Sequence, residues 1–353
     1  MYFPLFFIVI SFVAFFAYFL KSKSLVITGF ILAFVMSALR YDAGYDYFNY
    51  VDILLGDGWY DWRELFNYAF ISVSRYYNST QIYFVLTSFA YCFFICVALN
   101  KYGQLNAISL LCFCFFVLSF LTSMGLVRQF VAISIFFYAA CFLKDSKKIF
   151  FLFFLLCASL FHLSAMFLSI LIIFRAFLFR SYNPIFYVAG VVISYFTLDV
   201  LFKYILNSVG LYALYFENST SSAGTKIFAI LSIMFFVNLL FVRLTYNDYK
   251  RDMPLVFYTN MSYIGVLVYS ALLSYGEHLA RFSYYFIPFF YLMSSVVFYK
   301  CRGYFRLAYS FFLLLILSFS FFGTLYSASL NKERDFLNNY EFYFISSDYG
   351  RLM

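Results

Sequence analysis

Apolar residues run through this chain in stretches long enough to cross a lipid bilayer, and short polar segments separate them. A helix that spans the hydrocarbon core needs about 20 mainly apolar residues. The pattern predicts about twelve spans, near residues 2–20, 24–39, 81–99, 105–123, 126–143, 149–161, 163–179, 184–202, 226–243, 254–273, 281–299 and 305–326. Because the apolar run 149–179 is broken only around Phe161 and His162, it could form two short helices or one long helix with a re-entrant turn.

Lys and Arg residues indicate which ends of the spans face the cytoplasm. They concentrate in connections that begin near residues 21, 101, 144, 175, 243 and 300, which the predicted spans place on one side. Since cytoplasmic loops carry an excess of Lys and Arg, both termini should face outward. All but Asp145, Asp248 and Asp252 of the 16 acidic residues then lie outside. Asp and Glu contribute little to topology, so function is the candidate cause of this bias.

The predicted spans form one transmembrane helical domain over residues 1–326. A polar and charged tail on the outer face follows over residues 327–353. Two outer loops, 40–80 and 203–225, are long. The first contains two amphipathic stretches, 45–55 and 62–76, that could lie on the membrane surface.

Composition supports a membrane protein. Hydrophobic residues make up 65% of the chain and charged residues 11%, with a mean hydropathy of +0.87, whereas soluble domains are roughly 45–50% apolar and 25% charged. We therefore expect an all-α, polytopic integral membrane protein. The net charge of +8 is explained by the cytoplasmic loops, and no basic cluster is dense enough to predict a nucleic-acid partner.

The first polar cluster, R-Y-D-A-G-Y-D-Y-F-N-Y, begins with Arg40 and follows the second predicted span. Arg40 and Asp42 could simply form an ion pair. Together with Asp46 and tyrosines that include Tyr45 and Tyr50, however, they would make a surface suited to sugar. Aromatic faces stack on pyranose rings, and carboxylates accept hydrogen bonds from hydroxyl groups.

A second cluster begins a span that is otherwise wholly apolar through residue 143, with Arg128 followed by Gln129. An ionisable group at the centre of a membrane helix costs roughly 2.5–3.5 kcal/mol on insertion scales. No carboxylate lies near Arg128 in the sequence, so this arginine must find one in space or bind an anion. His162, in the run 149–179, is either a hydrogen-bonded structural residue or a site residue.

The last cluster is Y-G-E-H-L-A-R-F-S-Y-Y, which contains Glu277, His278 and Arg281. Glu277 and Arg281 are four residues apart, a spacing that would allow an ion pair along one helix face. His278 is three residues from the same arginine. Tyr284 and Tyr285, which follow, are candidate substrate-binding residues.

Three arginines, Arg40, Arg128 and Arg281, are thus predicted to reach one membrane face from separate helices. Arginine matches phosphate oxygens well because its planar guanidinium donates paired hydrogen bonds and keeps its proton. A lipid-linked phosphate or pyrophosphate presents its charge at this depth. The sequence has no Gly-rich phosphate loop, no H-E-x-x-H and no D-x-D, so we expect neither a metal nor a cofactor.

In their order and spacing, these segments resemble the EpsG-like branch of the Wzy family, bacterial polymerases of O-antigen and exopolysaccharide. The matching segments are RYDAGYDYFNY, VRQFVAISIFF with FLKDSKK, ASLFHLSAMF and ARFSYYFIPF, and the resemblance covers roughly residues 25–300. It implies the architecture of membrane (GT-C-like) glycosyltransferases, in the bacterial inner membrane with the active face toward the periplasm.

The resemblance also implies an activity. Such enzymes move a growing glycan from undecaprenyl pyrophosphate to the non-reducing end of another lipid-linked repeat unit. The partners would be undecaprenyl-pyrophosphate-linked oligosaccharides, membrane lipids and a chain-length regulator. The three arginines could neutralise the pyrophosphate without a metal. Asp46, His162, Glu277 or His278 could deprotonate the acceptor hydroxyl, and the resemblance favours His162.

Two other functions use a lipid-linked glycan. A flippase would need polar groups along a path at mid-membrane depth, whereas the predicted charges lie at the outer ends of the spans. An O-antigen ligase normally carries a large outer loop late in the chain, whereas the late outer segment near residues 274–281 is short. Both remain alternatives to the polymerase.

Overall fold

The computed structural model describes residues 2–56, 58, 62–198, 224–273, 277–330 and 336–345. The described part is almost entirely helical, as the apolar pattern predicts. Its packing divides the chain into two compact units, one of residues 1–172 with 317–353 and one of residues 173–316. The described part of the tail packs with the first unit. One transmembrane domain over 1–326 followed by a tail over 327–353 stays a prediction.

The first unit begins with nine helices in chain order. They are α1 (Tyr2–Phe19), α2 (Lys23–Ala38), α3 (Tyr47–Leu55), α4 (Leu65–Tyr76), α5 (Thr80–Lys101), α6 (Ala107–Phe115), α7 (Phe120–Ser123), α8 (Val127–Lys144) and α9 (Lys148–Ser159), with a 3-10 helix over Leu163–Ile172 after them. Helix α8 is the most buried of its long helices and packs against α5 and α9.

The second unit contains the remaining helices. They are α10 (Arg175–Leu178), α11 (Pro184–Ile193) with a π turn over Ser194–Leu198, α12 (Gly224–Thr245), α13 (Met253–Leu272), α14 (Glu277–Ala280), α15 (Ile287–Lys300) and α16 (Gly303–Leu330), with 3-10 helices over Asn247–Arg251 and Arg281–Phe286. The last part of α16, from residue 317, belongs to the first unit.

Seven helical segments of the described part are long and apolar enough to cross a membrane. They are α1, α5, α8, α12, α13, the continuous segment Arg281–Lys300, and α16. Four shorter apolar segments are α2, α9, the 3-10 helix after it, and Pro184–Phe196. Each of them overlaps a predicted span, so the chain is a polytopic, all-α membrane protein. The number of twelve spans stays a prediction.

Polar residues at the helix ends explain several boundaries. Ser22 accepts a hydrogen bond from the backbone N–H of Leu25 at the start of α2. Asn106 caps α6 in the same way and forms a reciprocal pair with Ser109. Asp252 caps α13 by accepting from the N–H of Leu255. Such caps satisfy backbone donors that have no partner within the first turn of a helix.

The span predicted over 105–123 is interrupted in the structure. Helix α6 ends at Phe115, the next residue is extended, and Leu118 has a left-handed φ of 57°. The hydroxyl of Ser119 donates to the carbonyl oxygen of Phe113 at 2.5 Å and so satisfies part of the open helix end. The uncertain run 149–179 is also divided, because α9 ends at Ser159 and a 3-10 helix follows.

The long outer loop predicted over 40–80 contains the two short helices α3 and α4, at the positions of its two amphipathic stretches. The second predicted loop, 203–225, lies outside the described residues except for its last two positions, which begin α12.

Part of the tail is paired with the start of the first loop. Strand β1 (Arg40–Tyr41) pairs antiparallel with β2 (Glu341–Phe342). The backbone N–H of Tyr343 donates to the carbonyl oxygen of Leu39 at 2.9 Å, and the hydroxyl of Tyr340 donates to that of Met36 at 2.9 Å. These contacts hold the tail against the end of α2.

Candidate functional site

A buried carboxylate joins three elements of the first unit. Glu64 directly precedes α4, and its side chain is only 4% exposed. Its Oε2 lies 2.6 Å from Nη1 of Arg128, near the start of α8. Its Oε1 lies 3.0 Å from Nδ1 of His162, in the turn after α9, and also accepts from the N–H of Leu163 at 3.4 Å. The arginine predicted to need a carboxylate in space has one.

The turn after α9 is held in place by contacts with α4. The backbone N–H of Phe66 donates to the carbonyl oxygen of Leu160 at 3.1 Å. The ring of Phe161 packs against Phe66 and Phe70, with centroid distances of 5.6 and 5.3 Å. Because backbone and aromatic contacts both fix this turn, the imidazole of His162 has a defined position relative to Glu64.

The other side of Arg128 contacts α3. Its Nε donates to the hydroxyl oxygen of Tyr50 at 3.2 Å. Tyr50 packs on Tyr83 of α5, with ring centroids 5.2 Å apart, and Tyr83 donates to Oδ1 of Asn67 at 2.8 Å. Burial raises the pKa of Tyr50, and the positive charge of Arg128 opposes this shift. The tyrosine therefore stays neutral near pH 7 and accepts from the guanidinium.

A cleft of about 310 Å³ opens beside this cluster. Its lining includes Asp46, Asn49, Tyr50 and Asp52 from α3 and the residue before it, together with Arg128. The amide of Asn49 donates to Oδ1 of Asp46 at 3.3 Å. The side chains of Arg128 and His162 are 29% and 30% exposed, so a ligand in solution can reach both.

Arg40 is placed differently from Arg128. It is 1% exposed, and its guanidinium donates to the carbonyl oxygens of Ser37, Ala43 and Met124 at 2.5, 3.2 and 3.3 Å. It also lies over the ring of Phe84, 4.5 Å from the centroid. Burial lowers the pKa of Arg40 to about 10, which still leaves it charged at neutral pH. In this position Arg40 organises protein oxygens around the end of α2.

The other candidates of the first unit surround this region. Asp42 accepts from the amide of Asn339 in the tail, at 3.1 Å, and burial raises the pKa of its carboxyl group. Tyr45 is exposed, whereas Gln129 is buried.

The remaining candidates belong to the second unit. Arg281 is half-buried at the start of a 3-10 helix, and Tyr284 and Tyr285 of the same helix are fully buried. The backbone of Glu277 and His278 forms part of α14, but their side chains lie outside the described residues.

Within the described residues, no group of three or more His, Cys, Asp or Glu side chains could hold a metal ion. The cluster at Glu64 combines one carboxylate with one imidazole and one guanidinium, and a guanidinium carries only donors. This set is suited to moving a proton and holding an anion.

Sequence reasoning missed Glu64, Asn49 and Asp52. All three lie in the outer loop 40–80, where polar residues are ordinary. The unmatched charge of Arg128 was the one signal that required a carboxylate nearby in space, and it did not specify which.

Comparisons with known proteins address the whole chain. The model of the EpsG family matches residues 23–342. A comparison with curated proteins found no match, and neither did one with solved structures.

Proposed function

Because the chain belongs to the EpsG family of Wzy-like exopolysaccharide and O-antigen polymerases, we propose that it polymerises a lipid-linked repeat unit. The donor is a growing glycan on undecaprenyl pyrophosphate, and the acceptor is the non-reducing end of another repeat unit on the same lipid carrier. The reaction takes place at the periplasmic face of the bacterial inner membrane, needs no metal, and yields O-antigen or a related exopolysaccharide.

The observation that carries this proposal is the contact of one carboxylate with both a histidine and an arginine beside an open cleft. Glu64 lies 3.0 Å from the imidazole of His162 and 2.6 Å from the guanidinium of Arg128. A glycosyl transfer of this kind needs a base for the acceptor hydroxyl and positive charge for the leaving pyrophosphate. These three side chains supply both functions.

Arg128 holds the leaving group in this proposal. Two of its nitrogens bind Glu64 and Tyr50, and a guanidinium carries further N–H donors. Partial exposure leaves these donors within reach of a phosphate. As the bond between the anomeric carbon and the phosphate oxygen breaks, its electron pair moves to the pyrophosphate, and Arg128 stabilises the added negative charge.

His162 is the base in this proposal. The carboxylate of Glu64 accepts a hydrogen bond from Nδ1–H, which leaves Nε2 as the atom that takes the proton. The acceptor oxygen forms its new bond to the anomeric carbon as its proton moves to Nε2. The imidazolium then keeps its hydrogen bond from Nδ1–H to the carboxylate of Glu64.

The cleft lined by α3 binds the sugar of the acceptor. Carboxylates at Asp46 and Asp52 and the amide of Asn49 can pair with hydroxyl groups, and Tyr50 offers an aromatic edge. Arg40 supports this surface from below, since it fixes the loop between α2 and α3. We therefore assign Arg40 a positioning role and reserve the contact with phosphate for Arg128.

Reconstitution tests this function. Wild-type protein in vesicles that contain the lipid-linked repeat unit should produce a ladder of longer glycans on a gel, whereas the Arg128→Ala variant should yield single repeats, with a rate at least 100-fold lower. The Arg302→Ala variant is the matched control, because Arg302 is an exposed arginine outside the site. A full-length ladder from the Arg128→Ala variant would contradict the assignment of Arg128 to the leaving group.

A deletion strain gives an independent test in cells that make O-antigen. Loss of the polymerase should leave lipid A core that carries at most one repeat unit. Loss of all O-antigen would point to a flippase or a ligase.

A further inference from the structure

Helix α4 presents large apolar side chains outward, and its inward face combines buried polar side chains with Ile71. Trp62, three residues before the helix begins, is 72% exposed. Large apolar residues on the outer face of the helix are exposed as well, namely Leu65, Phe66, Tyr68, Val73 and Tyr76. A helix at the surface of a soluble protein shows the opposite arrangement, with its apolar stripe toward the core.

The inward face of α4 is fixed by polar contacts. Asn67 is buried and accepts from the hydroxyl of Tyr83 at 2.8 Å. Ser74 is also buried and donates to the carbonyl oxygen of Phe70 at 3.0 Å, while Arg75 donates to that of Ile53 at the end of α3. Turning the helix to hide its apolar side would break the contacts of Asn67 with Tyr83 and of Arg75 with Ile53. The outward face must therefore meet an apolar environment.

The position of α4 in the chain shows what that environment is. Only three residues separate Tyr76 from Thr80, where the membrane span α5 begins. The 3-10 helix that follows the His162 turn also exposes large apolar side chains, among them Phe167 and Ile170. Trp and Tyr at the ends of α4 are the side chains enriched where a membrane meets water.

We propose that α4 lies in the interface of the bilayer and binds lipid through its outward face. Its apolar side chains enter the boundary between headgroups and acyl chains, as in amphipathic helices that lie flat on a membrane. Its polar face contacts the protein instead of water. Because Glu64 immediately precedes α4, the lipid contact also holds that carboxylate at the depth of the headgroups.

Tryptophan fluorescence can test this proposal, since Trp59 and Trp62 are the only two tryptophans of the chain. In the Trp59→Phe variant all tryptophan emission comes from Trp62. We expect blue-shifted emission in phosphatidylcholine vesicles, and quenching by lipids that carry bromine on their acyl chains. Bromine near the headgroups should quench Trp62 more than bromine near the chain ends.

Two further variants calibrate the depth. In a Trp59→Phe/Trp62→Phe background, the Val73→Trp variant reports on the outward face of α4, and Leu315→Trp reports on an exposed position in the middle of α16. Shallow bromine should quench the first most, and deep bromine the second. These measurements depend only on reconstituted, folded protein, so their failure is separate from failure of the proposed reaction.

Two outcomes would overturn the proposal. Emission typical of water, with quenching by acrylamide and none by bromine, would show that the face is hydrated. Blue-shifted emission without quenching by either agent would show that a second copy of the chain or another protein covers it.

Discussion

Glu64 lies in the segment Trp62-Arg63-Glu64-Leu65, where an acidic residue between a basic and an apolar one is ordinary. Glu64 matters because of its contacts in the fold, where Arg128 near the start of α8 and His162 in the turn after α9 both bind its carboxylate. Arg128 and His162, by contrast, stand out in the sequence, since charged and polar groups are rare within apolar spans. Sequence therefore identifies the two partners, and only the structure identifies the carboxylate that joins them.

The Glu64→Gln variant should slow polymerisation about 100-fold or more, because it removes the carboxylate that binds Nδ1 of His162 and orients the imidazole. Glutamine retains hydrogen-bonding oxygen and nitrogen, so the protein should still fold. The rate of ladder formation in vesicles measures the effect, and thermal unfolding in detergent checks the fold. The Asp145→Asn variant is a suitable control, because Asp145 is an exposed carboxylate paired with Lys144 at 2.9 Å. Wild-type rates from Glu64→Gln would contradict the role of this residue.

Asp42 offers a test of electrostatics at the tail contact. Burial raises the pKa of this carboxyl above its unfolded value of about 4. The folded state therefore holds the proton more tightly, and stability falls as pH rises from the unfolded pKa through the folded one. The Asp42→Asn variant has no such loss, and asparagine tolerates the left-handed φ of 45° at this position.

We expect the Asp42→Asn variant to unfold at a slightly higher temperature than wild type at pH 7, on the order of 1 °C. The difference should shrink as the pH falls below about 4. Thermal unfolding at several pH values measures it. The Asp42→Ala variant should be less stable than either, because alanine loses the hydrogen bond from Asn339 and disfavours a positive φ. Equal stability of Asp42→Asn and wild type across the pH range would refute this account.

At the scale of elements, hydrophobic length predicts where most helices lie, since α1, α2, α5 and α8 match predicted spans within a few residues. It does not predict how a helix ends inside an apolar run. The break after α6 depends on a left-handed Leu118 and on Ser119, whose hydroxyl binds a freed carbonyl oxygen. Neither residue type marks a helix end in a sequence this apolar.

Arg40 illustrates the same limit at the end of an element. Its position after α2 suggested a free cation near the membrane surface. In the structure its guanidinium donates to the carbonyl oxygen of Ala43, in the loop between α2 and α3, and to that of Met124, in the turn before α8. Every residue carries a carbonyl oxygen, so the sequence does not show which of them bind a side chain. The binding of Arg40 to backbone oxygens could therefore not be predicted.

Two glycines, Gly44 in the loop between α2 and α3 and Gly56 directly after α3, test how tightly that loop is packed. Gly44 and Gly56 have nearly equal φ values of 105° and 106°. A side-chain carbon added at Gly44 would lie 2.3 Å from the carbonyl oxygen of Met124, whereas one at Gly56 would meet no atom within 4 Å. The difference between the two alanine variants therefore isolates the effect of packing from that of backbone conformation.

We expect Gly56→Ala to lower the free energy of unfolding by about 1–2 kcal/mol, the cost of a left-handed alanine. Gly44→Ala should cost roughly 3–5 kcal/mol, because overpacking adds to that strain. It should also reduce activity, since Met124 lies just before Arg128 and must move. Unfolding in detergent measures the first effect and the vesicle assay the second. Similar stabilities of the two variants would show that the loop can shift without cost.

At the scale of the whole molecule, contacts within the first unit constrain the topology. The rings of Tyr2 and Phe3, at the start of α1, lie 5.5 and 5.1 Å from that of Tyr340 in the tail. Both ends of the described chain thus lie on the same membrane face, which requires an even number of crossings. The end of α2 contacts the same tail segment, so α2 returns the chain across the bilayer.

An alkaline phosphatase fusion tests which face this is, because the enzyme is active only outside the cytoplasm. Fused after residue 353, it should be active, since the excess of Lys and Arg in the opposite loops predicts that both termini lie outside. Fused after Gln104, in the connection that follows α5, it should be inactive. The reverse pattern would invert the orientation and move the site to the cytoplasmic face.

The pairing of β1 with β2 also has a consequence for biogenesis. The hydroxyl of Tyr340 reaches a carbonyl oxygen 304 residues earlier in the chain, so the ribosome must synthesise all the residues between them before this contact can form. The first helices enter the membrane long before their closing strand exists. A nascent or prematurely terminated chain would keep its helices but leave the loop that carries Asp42 and Asp46 unclosed, so the enzyme should gain activity only when its synthesis is complete.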